Sequence, residues 1–122
     1  MPLVYTIDEQ NSLITLTLSG HVTRDEITGY IAASRQAPGY RGGMHRLVVA
    51  DGVESFPELP EVRDITVRAL PGRPDPSIRI AAVADTPLGL GMIAMFFGHW
   101  GLSDRYRLFN DAPTARAWLL AD

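Results

Sequence analysis

Hydrophobic and polar positions along the chain switch repeatedly between a period of two and a helical period, and the switches mark out the elements. Leu3 to Asp8 and Leu13 to Ser19 flank the polar turn Glu9-Gln10-Asn11-Ser12, which predicts a β-hairpin. In its second strand Ile14, Leu16 and Leu18 alternate with Thr15, Thr17 and Ser19, so one face is covered and the other is wet. Gly20 and His21 end that strand. Thr23 and Glu26 then have the spacing of a capping box, and Ile27, Tyr30, Ile31 and Ser34 follow as a narrow helical stripe stopped by Pro38-Gly39. Arg46 to Asp51 carries Leu47-Val48-Val49-Ala50, an apolar run without alternation and of strand length. Gly52 to Leu59 reads as an irregular loop. From about Pro60, Val62, Ile65, Ala69 and Leu70 form a second helical stripe, closed by Pro71-Gly72.

The stretch from Arg79 to Gly101 stands apart. Ile80-Ala81-Ala82-Val83-Ala84 predicts a strand buried on both faces, ended by Asp85-Thr86-Pro87. Leu88 to Trp100 predicts a helix in which only His99 is polar, so every face of it is apolar. Tyr106 to Phe109 makes a short last strand. Asp111-Ala112-Pro113-Thr114 opens a final helix whose inward residues are Ala115, Trp118 and Leu119. The order ββαβαβαβα predicts a single α/β domain over residues 1–122, with a mixed five-stranded sheet: an N-terminal hairpin, then parallel strands joined by right-handed crossovers. Crossovers that step in one direction would collect the helices on one face. The other face would then need cover from a partner or a ligand.

Composition narrows the classes of function. The chain has 122 residues, is 46% hydrophobic and contains no cysteine, which excludes disulfides, zinc thiolates and thiol nucleophiles. A net charge of −3, with eleven basic residues that are all Arg and all scattered, leaves no footprint for nucleic acid or anionic lipid. The longest apolar run is about twelve residues, short of the ~20 that span a bilayer. Met1-Pro2-Leu3 leads straight into a strand with no secretory leader pattern, so the expectation is a cytoplasmic protein.

The element order, the hairpin at the front and the segment Phe109-Asn110-Asp111-Ala112-Pro113-Thr114-Ala115-Arg116-Ala117-Trp118-Leu119 resemble the SpoIIAA-like family, bacterial relatives of the anti-sigma-factor antagonist (STAS) domains. The resemblance implies a STAS-like or CRAL-TRIO-like sheet and a binding module for a partner protein or a nonpolar molecule, not an established enzyme. It also raises Ser55 as a phosphorylation site, because STAS antagonists are switched at a Ser at the start of the helix after the third strand, although Ser55 lies ahead of where that helix should begin. The Asp-Ser-Ser-Gly-like segment of those proteins is missing, however. Asp51 is followed here by Gly52-Val53-Glu54-Ser55-Phe56.

Candidate chemistry is sparse. Gly89-Leu90-Gly91-Met92-Ile93-Ala94 matches a dinucleotide fingerprint, but Asp85-Thr86-Pro87-Leu88 separates it from the strand, and an Asp at the turn would repel phosphate. Small residues that let a helix pack closely explain it more simply. Asp51, Asp85 and Asp111 each follow a parallel strand and so share one rim of the sheet, where three carboxylates could hold a cation or a proton. Asp also caps the helix or turn that follows it, and that plainer role suits all three positions. His21, His45 and His99 share no metal-ligand spacing, and no nucleophile motif is present, so no catalytic residue, metal or cofactor is assigned. The strongest feature is Met92, Met95, Phe96, Phe97, His99 and Trp100. On a helical wheel Met92, Met95 and Phe96 point away from Ile93, Phe97 and Trp100, and one sheet can cover only one of those sets. The resulting expectation is a non-catalytic module that forms a homodimer or binds a protein partner through this helix. The alternative is a carrier or sensor with a nonpolar ligand between helix and sheet, and a small enzyme using the three acids comes third.

Overall fold

The structure is a computed structural model that describes residues 2–68, 78–99 and 106–121, leaving aside the side chains of 66–68 and 96–99. In chain order it comprises β1 (Leu3–Asp8), β2 (Leu13–His21), α1 (Arg24–Gln36), β3 (His45–Ser55), α2 (Leu59–Arg68), β4 (Ile80–Ala84), α3 (Pro87–His99), β5 (Tyr106–Phe109) and α4 (Ala112–Leu119). The five strands form one sheet in sequence order; β1 pairs antiparallel with β2, and every other pair is parallel. The mixed α/β fold expected from the sequence is therefore the one observed.

Local chemistry explains the elements. At the hairpin turn, Asp8 accepts hydrogen bonds from the backbone and side-chain amides of Asn11, and these donors hold its carboxyl below the usual range. At the start of α1, Glu26 N–H donates to Thr23 Oγ1, and Thr23 N–H donates to Glu26 Oε1, both at 3.3 Å. The capping box is formed. Ile27, Ile31 and Ser34 are the buried residues of that helix, as the stripe predicts. β4 has Ile80, Ala81 and Ala82 without solvent exposure, as expected of a strand covered on both sides.

The three crossovers step in the same direction, so α1, α2 and α3 share one face. Their core there joins Ile27, Ile31, Ile65 and Ile93 to Leu18, Val48, Ala50, Ile80 and Ala82 of the sheet. The opposite face is not left for a partner, contrary to expectation. α4 follows the last strand and has no further strand to reach, so it folds back across that face. There Ala115 and Leu119 pack with Leu13, Leu47, Ala81 and Val83. Toward the β1 edge this face remains open, with Val4 and Thr6 exposed.

β3 also differs from expectation. It does not end at Asp51 but continues to Ser55, so the loop expected from Gly52 shrinks to residues 56–58. The cause lies in its pairing with β2. Leu18 lies opposite Ala50, Gly20 opposite Val53, and His21 opposite Ser55, so the register slips twice. Gly20 and Gly52 supply the left-handed backbone at these slips, with φ of 61° and 68°.

The amino ends of the strands are locked. Arg79 N–H donates to His45 Nδ1 at 2.9 Å, and the Arg79 guanidinium donates to the carbonyls of Trp118 and Ala121 beyond its stack on the Trp118 ring. Partial burial, helped by the neighbouring charges of Arg79 and Arg46, lowers the His45 pKa and keeps its ring neutral as an acceptor.

Candidate functional site

The carboxyl ends of β2, β3, β4 and β5 form one rim, the place where open α/β sheets hold their sites. The three acids expected there are present, and two of them are occupied with the backbone. Asp85 accepts the Gly52 N–H on both carboxylate oxygens at 3.2 Å, which ties the end of β4 to the slip in β3. Asp111 is the N-cap of α4 and accepts the Thr114 N–H at 2.8 Å. That hydrogen bond holds its carboxyl below the ordinary value. Asp51 is exposed on β3. Among the described residues no group of three or more His, Asp or Glu is placed to hold a metal ion.

Beside this rim lies an apolar groove of about 440 Å³. The connection after β3 and the start of α2 contribute Phe56, Pro57 and Leu59, and the first three turns of α3 contribute Leu88, Met92 and Met95. α3 starts where it does because Thr86 Oγ1 accepts the Gly89 N–H at 3.1 Å and Pro87 takes the first helical position. Its inner side is Ile93, 3% exposed, and Gly89, where a Cβ would lie 3.3 Å from the Cβ atoms of both Ala50 and Ala84. Gly89 is thus the close-packing residue of the apparent fingerprint, and Gly91 faces the groove with open space around it. Both glycines sit inside the helix and not at the strand-to-helix turn, so they are not arranged as a pyrophosphate cradle. Leu88, at the lip of the groove, is 49% exposed, and Leu59 opposite is 37% exposed.

Met92 and Met95, two of the six residues singled out from the apolar helix, therefore line a groove. The side chains of Phe96, Phe97 and His99, and residue Trp100, lie outside the described residues. So do Ala69 and Leu70 of the second helical stripe.

A further cluster sits at the ends of β2 and β3. The Ser55 hydroxyl is 2.8 Å from His21 Nδ1, and His21 Nε2 is 3.1 Å from Glu54 Oε2. The Val22 N–H donates to the Ser55 carbonyl at 3.0 Å and anchors the backbone there. His21 and Ser55 are 34 positions apart, so no local motif announces their contact. It depends on the double slip. With the register of Leu18 and Ala50 continued, His21 would face Val53 instead.

No protein-family model matches the chain, and a search of curated proteins finds no match. No helix among the described residues is long and apolar enough to cross a membrane.

Proposed function

We propose that the chain is an interaction module of SpoIIAA-like type that self-associates through the apolar groove at the start of α3. The observation that supports this reading is the placement of Leu88 and Leu59. These two large aliphatic side chains are exposed to solvent while lining the same groove as Met92, Met95 and Phe56. Burying one such side chain contributes about 1.5–3 kcal/mol, and a symmetric contact counts each of them twice. The groove is shallow and lined mainly by apolar side chains, which suits an apolar protein surface, and Met side chains adapt to an irregular one. The test is sedimentation velocity at micromolar concentration. A dimer that Leu88→Arg converts to monomer supports self-association, and a monomeric wild-type chain overturns it.

A second reading is a nonpolar small molecule in the same trough, favoured by a volume inside the range of ligand sites. Native mass spectrometry of protein taken from cells tests it. A co-purified apolar species supports this reading, and ligand-free protein that also binds no added fatty acid removes it.

A further inference from the structure

We infer that Ser55 is a nucleophile toward carboxylic esters, with His21 as its general base and Glu54 as the group that orients His21. The argument does not depend on the apolar trough. It starts from Glu54. Its carboxylate lies 3.1 Å from His21 Nε2, and that negative charge favours the tautomer with its hydrogen on this nitrogen. In the neutral ring Nδ1 is then left with its lone pair. In that tautomer the Ser55 hydroxyl, 2.8 Å away, is the donor, and its hydrogen points at a base able to take it. Nucleophile and base thus share a hydrogen bond, with a carboxylate beside the far nitrogen of the ring, a set of groups that can activate a hydroxyl for acyl transfer. The ring nitrogens exchange their usual places, which the chemistry allows because either nitrogen can serve as the base.

The backbone is built to bring these groups together. The two slips between β2 and β3 move Ser55 opposite His21, the left-handed Gly20 directly precedes His21, and the Val22 N–H fixes the Ser55 carbonyl. His21 and Glu54 are 72% and 68% exposed, so an ester can reach the hydroxyl from solvent. In the reaction the Ser55 oxygen bonds to the ester carbonyl carbon as its proton passes to His21 Nδ1. The carbon–oxygen bond to the alcohol then breaks, and the alcohol leaves with that proton. Water repeats the sequence on the acyl-serine, giving its proton through His21 and releasing the carboxylic acid, which restores Ser55. Glu54 stays ionised throughout and stabilises the transient imidazolium.

The test uses the full chain with 4-nitrophenyl acetate and, separately, with an alkyl fluorophosphonate. The expected result is release of nitrophenolate and a single adduct by intact mass, mapped by peptide sequencing to Ser55. Ser55→Ala removes the adduct. His21→Ala slows its formation about a hundredfold, the low end of what a positioned base provides. Glu54→Ala slows it by a smaller factor. Circular dichroism and thermal melts verify that each variant is folded. Absence of a Ser55 adduct, or equal labelling of wild type and folded His21→Ala, overturns the proposal.

Discussion

α3 and α4 pack on the same central strands from opposite faces, and they do so with opposite economy of apolar residues. α4 is eight residues long, buries Ala115 and Leu119, and turns most of its other residues to water. α3 is thirteen residues long and sends Gly89 and Ile93 into the sheet, yet Leu88, Met92 and Met95 remain around a groove. A helix whose apolar stripe matches the width of the sheet closes the fold beneath it. A helix that is apolar all round exceeds what one sheet can cover, and the surplus is left available for binding.

This contrast can be broken most sharply on the closed side. Leu119→Ala removes a side chain that is 1% exposed in the α4 core, and it is expected to lower unfolding free energy by about 2–5 kcal/mol in a urea titration. Next come the two glycines of α3. Gly91→Ala gains helix propensity in open space, whereas Gly89→Ala drives a Cβ against Ala50 and Ala84 on two strands. The second variant should therefore be the less stable of the two by about 1–3 kcal/mol, read from paired melts.

A smaller effect arises at the amino end of the strands. His45 has a lowered folded-state pKa, so the unfolded chain takes up a proton first as pH falls below the ordinary value of 6.5. Stability is complete above that pH and declines below it, until the folded protein also protonates. In His45→Asn, which keeps an acceptor for the Arg79 N–H, the decline should be reduced in denaturation curves collected across this window. The smallest change in stability is expected on the open side. Leu88→Ser, at the exposed lip of the groove, should stay within about 0.5 kcal/mol of wild type while weakening self-association in sedimentation.

Much of the fold was legible because its signals are local. The Thr23/Glu26 box, the Asp111-Ala112-Pro113 start of α4 and the unalternating runs of β3 and β4 each involve neighbours in sequence. Two features were not legible, for the same physical reason. The return of α4 over the second face depends on which side of the sheet is vacant, and the extension of β3 to Ser55 depends on slips against a strand some thirty positions away. The groove was half visible: the all-apolar run around Met92 and Met95 announces excess hydrophobic surface, but not that Phe56 and Leu59 form its other wall. The His21–Ser55–Glu54 cluster was invisible, since no spacing encodes a contact made across a slipped ladder. Ser55 itself was singled out by resemblance, for a different chemistry.

The paired irregularities of β3 also make segment length a coded quantity. Side chains alternate along a strand, so removing one residue between Asp51 and Ser55 would turn Phe56 out of the core it packs against. Removing two would cancel both slips, returning Phe56 to the interior and leaving the serine opposite His21 on a regular ladder. Excising residues singly and in pairs would thus test whether the serine needs the slips themselves or only its place opposite the imidazole.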